Sequence, residues 1–185
     1  MPLQVISDME KRMKKALEDL DNDFGTLRTG RATPALLDKI IVEYYGAPTP
    51  LKGLATISVP DARQLLVAPF DKTVAGAIAN AIAKSDLGVG AVTDGNNVRV
   101  SVPNLTTERR KEMVKLAGKK AEAHKIAVRN IRRDANDALK KMEKDGDLSK
   151  DELARHEGDV QKMTDRFIAD IDKSRAAKET EIMAV

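Results

Sequence analysis

Apolar residues in the first 29 positions recur at steps of three and four: Ile6, Met9, Met13, Ala16 with Leu17, Leu20, Phe24 and Leu27. Residues so spaced share one helical face, so the segment is predicted to be an amphipathic helix. Pro2 suits a first turn, and Ser7 with Glu10 also reads as a capping box inside the helix. Two starts, about a turn apart, are therefore open. The period stops at Thr29-Gly30-Arg31-Ala32-Thr33-Pro34, where Gly and Pro interrupt a helix readily.

From there to Pro103 the residues change type. Lys39 to Tyr45 is rich in β-branched and aromatic residues and is followed by a breaker, Gly46-Ala47-Pro48-Thr49-Pro50. Leu54 to Val59 and Gln64 to Phe70 read as two further strands. Asp71 can cap a short helix running to about Lys84, with Val74, Ile78 and Ile82 on one face. Asp86-Leu87-Gly88 ends it. Ala91-Val92-Thr93 and Val98 to Val102 flank Asp94-Gly95-Asn96-Asn97, a hairpin turn. The stretch reads as a small α/β module of roughly 70 residues, within the usual range for a domain.

After Pro103 the helical period returns. Thr106 or Thr107 can cap. Met113, Ala117, Ala121, His124, Val128, Ile131, Ala135, Ala138 with Leu139, and Met142 then form one stripe, with Gly118 the only breaker. Such a helix of roughly 35–40 residues would be about 55–60 Å long. Asp145-Gly146-Asp147-Leu148 breaks it, and Ser149 with Glu152 repeats the capping-box pattern. A last helix carries Leu153, His156, Val160, Met163, Phe167, Ile171, Ser174 and Ala177. Two long helices joined by a short loop must run antiparallel. Each has one narrow apolar stripe, and the first helix supplies the third.

The expected fold class is therefore α+β: a long antiparallel three-helix bundle with a small β-rich α/β domain inserted between helix 1 and helix 2. The bundle takes residues 1–29 and 105–185 and the inserted β/α/β domain takes 30–104. Hinges are expected at 29–33 and 102–105, because both chain crossings run through Gly or Pro.

Charge sharpens this picture. The 32 basic and 29 acidic residues leave a net charge of only +3. Between Arg109 and Arg133, however, ten basic residues face two acidic ones. Lys111, Lys115, Lys119, Lys125, Arg129, Arg132 and Arg133 fall within an arc of roughly 140° at 100° per residue. The apolar stripe lies mostly on the other side. A one-sided cationic rod suits a phosphate backbone, since each neutralised phosphate releases counterions. Arg129, Arg132 and Arg133 set three guanidinium forks together, and such forks grip phosphates bidentately. The bland alternative is a solvated face with intrahelical ion pairs; the local deficit of acids weighs against it.

Other chemistry is thinly supported. With no cysteine there are no disulfides, thiolate metal sites or Cys nucleophiles. His124 and His156 lie several helical turns apart in the expected hairpin, so they read as core-edge residues and not as a metal pair. Asp145 to Asp151 resembles half of a calcium loop but has Lys150 where Gly is needed and His156 where Glu is needed. Gly88-Val89-Gly90 lacks the third glycine of a dinucleotide fingerprint. Tyr44 and Tyr45 read as half-buried strand residues pointing to opposite faces. No bilayer-length apolar run and no signal-peptide pattern is present, which points to a cytoplasmic protein. No cofactor is called for.

Several stretches resemble the bacterial ribosome recycling factor family. They are Leu27-Arg28-Thr29-Gly30-Arg31-Ala32-Thr33-Pro34, Val42-Glu43-Tyr44-Tyr45-Gly46-Ala47-Pro48-Thr49-Pro50-Leu51 and Val128-Arg129-Asn130-Ile131-Arg132-Arg133-Asp134-Ala135-Asn136. Ser85-Asp86-Leu87-Gly88 and Asp159-Val160-Gln161-Lys162-Met163-Thr164-Asp165 add to the likeness, which runs from about Ser7 to the C-terminus.

The resemblance implies a translation factor and not an enzyme. With elongation factor G and GTP, such a factor splits the 70S post-termination ribosome into subunits by binding large-subunit ribosomal RNA at the inter-subunit face. GTP hydrolysis belongs to the partner. The resemblance further implies RNA contacts at Arg129 and Arg132 and, near the hinge, at Arg28 and Arg31; Arg133 is adjacent and helps, and Lys125 joins the RNA-binding residues from its place on the basic arc. Gly30, Arg31, Ala32, Pro103 and Asn104 fall in the two hinge strands, and the factor would act as a monomer. The rival reading is a helical interaction protein whose stripes form a coiled-coil homodimer. An enzyme using the β-rich module is weaker still, since no acid–base or metal cluster supports it.

Overall fold

The computed structural model describes residues 1–184. Its long helices are α1 (Pro2–Gly25), α3 (Thr107–Lys144) and α4 (Lys150–Met183). Between α1 and α3 come strands β1 (Ile41–Tyr44), β2 (Ala47–Pro50), β3 (Ala55–Asp61) and β4 (Gln64–Pro69), helix α2 (Ala75–Ala83), and strands β5 (Gly90–Asp94) and β6 (Asn97–Ser101). The fold is α+β. The chain forms two compact units, one of residues 1–24 with 114–180 and one of residues 25–113 with those from Glu181 onward.

In the first unit the three helices pair all round. Lys140 with Glu157, Lys125 with Asp172, and Arg132 with Gln161 set α3 antiparallel to α4. Arg12 with Asp134 and His124 with Asp23 set α1 antiparallel to α3. Arg166 with Glu10 and Ser174 with Asp21 leave α1 parallel to α4. The core holds Met9, Met13, Leu20, Val128, Leu139, Val160, Phe167 and Ile171, all buried, as the apolar stripes require. Ala117, Ala121 and Ala135 line the buried side of α3, and small side chains there let neighbouring helices approach closely. At the far end of the stripe on α4, Ala177 is exposed.

Ser149 caps α4 as its spacing predicts. Its hydroxyl accepts from the Glu152 N–H at 3.2 Å, while its own N–H donates back to the Glu152 carboxylate at 2.9 Å. Ser7, by contrast, lies inside α1, so that capping box is not used and the helix starts at Pro2. The α1 helix also stops at Gly25, before Leu27. A Cβ at Gly25 would sit 3.2 Å from the Cβ of Ala35 in the 3-10 turn Pro34–Leu37, a tight contact that glycine avoids.

In the second unit a four-stranded antiparallel sheet has the order β3-β4-β6-β5, and β1 pairs with β2 as a separate ribbon. Leu65 and Val67 of β4 and Val98 and Val100 of β6 alternate inward onto Ile78 and Ile82 of α2. Leu37, Val42 and Leu51 close the core. Of the supposed breaker at Gly46–Pro50, only Gly46 is a turn residue; Ala47–Pro50 is strand β2. A two-residue turn, Tyr45-Gly46, reverses the chain, and the short ribbon tolerates Pro48 and Pro50 because its outer edge is unpaired. Tyr45 is thus a turn residue with φ of +47°, not a strand residue. Pro60 lies in the edge strand β3, where the register shifts between Ser58 and Asp61.

The expected seams at 29–33 and 102–105 both lie within this unit. Its local ties explain why it extends into the helix ends. The Thr29 hydroxyl donates to Glu181 at 3.3 Å, and buried Arg110 donates to the carbonyls of Leu105 and Ile182 at 3.4 and 3.1 Å.

Candidate nucleic-acid interface

The cationic face of α3 exists because the helix continues without a break and keeps its apolar stripe turned inward. Within the first unit Lys115, Lys119 and Arg133 are exposed, and Arg129 and Arg132 are half-buried along their stems. Such stems lie along apolar surface while the charged ends reach water. Among the described residues no carboxylate pairs with Arg129, Arg132 or Arg133. Arg132 reaches only Gln161, whose amide oxygen accepts at 3.5 Å. Neighbouring acids are occupied elsewhere: Asp134 takes Arg12 at 2.8 Å, and Glu122 takes Lys125 at 3.4 Å. Three adjacent guanidinium groups therefore stand uncompensated on one side of the helix, a geometry suited to successive phosphates.

Lys125 is placed differently. Its side chain is 12% exposed and its ammonium is held between Asp172 and Glu122. The hydrogen bond to Asp172 raises the lysine pKa above its ordinary value, with desolvation opposing. Its charge is answered within the protein, which the one-dimensional count of basic residues does not reveal.

Arg110 is another such case. It is counted in the basic run, yet it is buried and serves the carbonyls of Leu105 and Ile182. An arginine near one helix end that satisfies the terminal carbonyls of another is structural, and only three-dimensional contacts identify it.

In the second unit Arg31 is exposed and Arg28 is half-buried. The Arg28 guanidinium packs against Gly88, where a Cβ would come within 2.9 Å of Nη1. Gly30 carries a positive φ of +81°, Ala32 is buried, and Pro103 and Asn104 are exposed. Asn104 accepts from Arg63 at 2.8 Å. Thus the structure brings Arg129, Arg132 and Arg133 together, while Arg28 and Arg31 belong to the other unit.

The Asp23 carboxylate accepts from His124 Nε2 at 3.2 Å, and His156 is buried on α4. Among the described residues no group of three His, Cys, Asp or Glu side chains is arranged to hold a metal, and no helix is long and apolar enough to cross a membrane.

Comparison with known proteins gives concordant results. A family model described as ribosome recycling factor matches residues 20–183. The ribosome-recycling factor of Halalkalibacterium halodurans is 56% identical over 185 residues, all of both chains. That of Bacillus subtilis is 51% identical over the same span, and that of Pelotomaculum thermopropionicum is 54% identical over 182 residues, 98% of each chain. Among solved structures, a solution structure of the ribosome recycling factor superposes with a TM-score of 0.77 at 41% identity, covering 100% of this chain and 98% of that one. A second describes the T. thermophilus ribosome recycling factor and E. coli elongation factor G bound to the E. coli post-termination complex. It has a TM-score of 0.70 and 43% identity, with full coverage of both chains.

Proposed function

The chain belongs to the ribosome recycling factor family, and from that premise we propose that it splits post-termination 70S ribosomes into subunits together with elongation factor G and GTP. The protein is a translation factor that works in the cytoplasm as a monomer. It performs no bond chemistry itself; hydrolysis is the partner's. The first unit grips large-subunit ribosomal RNA at the inter-subunit face through Arg129, Arg132 and Arg133. Arg28 and Arg31 make further RNA contacts, whereas Lys125 lies on the same face with its charge taken up by Asp172 and Glu122. Gly30, Arg31, Ala32, Pro103 and Asn104 form the hinge about which the β-rich part moves.

One observation carries the RNA assignment: three arginines within about one turn of α3, none with a carboxylate partner among the described residues. A helix face left with uncompensated forks gains most from phosphate oxygens, and such binding weakens steeply with salt. The scarcity of rings, two Tyr and three Phe, favours a grip on backbone and shape over base-by-base reading.

The test is light scattering of post-termination ribosomes mixed with the protein, a matched elongation factor G and GTP. A fall in scattering that needs all three components is expected. No splitting with a matched partner would sink the proposal. A stable homodimer in sedimentation, with no ribosome affinity, would favour the coiled-coil reading instead.

A further inference from the structure

Gly118 sits in the middle of the 38-residue helix α3, where glycine weakens a helix relative to alanine. The packing explains its presence. A Cβ at this position would come within 3.1 Å of Nη2 and 3.3 Å of Cζ of Arg175, so glycine lets the Arg175 guanidinium lie against the backbone of α3. Arg175 is further fixed from its edge, where Nε donates to Glu179 at 2.8 Å. Its side chain nonetheless remains 38% exposed.

Around this guanidinium lies an open groove. Val114, Ala123 and Ile126 supply apolar wall, and Ile126 is 55% exposed. Lys115 and Lys119, one turn apart, form a cationic rim, and among the described residues neither has a carboxylate partner. Glu122 also lines the groove, with its carboxylate engaged by Lys125 at 3.4 Å.

The geometry points to a seat for one unpaired nucleotide of RNA, with its base stacked on the Arg175 guanidinium beside Ile126 and its phosphate between Lys115 and Lys119. This rests on the RNA-binding reading above and names a contact outside the Arg129–Arg133 cluster. Two features favour a nucleotide over an acidic peptide. The edge Nε of Arg175 is already used by Glu179, so its plane is better placed to serve a ligand than its full fork. The two phenyl rings of this unit, Phe24 and Phe167, are buried, as is His156, and His124 is 16% exposed and engaged by Asp23, which leaves guanidinium planes as the stacking surface available to unpaired bases.

The experiment uses the full chain and two short RNA hairpins, one carrying a single bulged 2-aminopurine and one fully paired. The parent should prefer the bulged hairpin and quench its fluorescence. Arg175→Lys keeps the charge but loses the plane. It should reduce affinity for the bulged hairpin by roughly tenfold, the scale of one stacked base, and leave the paired hairpin unchanged. Gly118→Ala, which favours the helix and displaces the guanidinium, should act in the same direction while raising thermal stability. Equal binding of both hairpins by the parent would overturn the seat but leave the arginine cluster standing. Failure to bind either would overturn both. Displacement of the bulged RNA by oligoglutamate at comparable concentration would assign the groove to an acidic peptide and overturn it as well.

Discussion

Removing one positive charge should have different consequences at two places on the same helix face. Arg129 and Arg132 have no carboxylate partner among the described residues, whereas the Lys125 ammonium is held by Asp172 and Glu122. Truncating Arg129 and Arg132 together removes no native ion pair, so stability should change by no more than about 0.5 kcal/mol. For a chain of this size that is a shift of roughly 1–2 °C in Tm. If each guanidinium holds one phosphate, each loss costs about 1.5–3 kcal/mol of binding, the scale of a hydrogen bond to a charged group. The slope of log affinity against log salt should become shallower by roughly 1.4–1.8 for the pair. Lys125→Ala also lowers the net charge, but it breaks an internal pair at a side chain only 12% exposed. Its cost should appear in the fold, about 1 kcal/mol or 2–4 °C, because half-exposed Asp172 can rehydrate. Its salt slope should match the parent's. Large-subunit binding measured across a salt series, beside calorimetry of each variant, separates the two. If Lys125→Ala flattened the salt slope as much as the arginine variants at an unchanged Tm, reading charge availability from ion-pair geometry would be wrong.

Leu139→Ala should destabilise by about 2–5 kcal/mol, since a fully buried leucine leaves a cavity; urea unfolding would show this as a lower midpoint at constant slope. Ser149→Ala should cost about 1 kcal/mol by removing the α4 cap. The Ser149 N–H bonded to Glu152 holds that carboxyl below its ordinary pKa. This stabilisation is present above the unfolded glutamate pKa and is lost as pH falls through the lowered folded value, so replacing Glu152 with Gln should shrink the acid dependence in melts from pH 6 downward. Lys125 has the opposite sign: its folded pKa is raised, so its stabilisation holds below the ordinary lysine pKa and disappears as pH rises through the folded value. Alkaline melts of the parent and of Lys125→Met should therefore converge. Tyr45→Asn should be neutral or stabilising by up to about 1 kcal/mol, because asparagine tolerates the left-handed conformation that Tyr45 adopts at φ of +47°; a fall of several degrees in Tm would show that the 3.5 Å bond from its hydroxyl to Asp71 outweighs the backbone term.

The helices were legible because their signal is periodic and local. The stripe from Ala117 to Leu139 is the buried side of α3, and Ser149 with Glu152 is the cap of α4. What local pattern missed was decided by distant partners. The last residue of α1, Gly25, meets Ala35 closely enough that a Cβ there would be crowded, and the prolines of β2 are tolerated because that ribbon has an open edge. The same holds at the candidate site. The crowding of Arg129, Arg132 and Arg133 on one face follows from a 100° step, but no sequence count distinguishes them from Arg110, which serves backbone carbonyls, or from Lys125, which serves Asp172.

The Tyr45-Gly46 turn also makes the chain its own optical label. There is no tryptophan, and the only two tyrosines sit side by side there with ring centroids 4.6 Å apart. Both hydroxyls donate to Asp71, whose carboxyl is held below the usual range chiefly by the Thr73 hydroxyl. Tyrosine emission therefore reports on the unit of residues 25–113, where both chromophores lie. Far-ultraviolet dichroism is weighted to the 38 and 34 residues of α3 and α4. Unlabelled protein thus offers two spectrally separate thermometers, and whether their melting curves superimpose reads directly on whether the two units unfold as one cooperative transition or two.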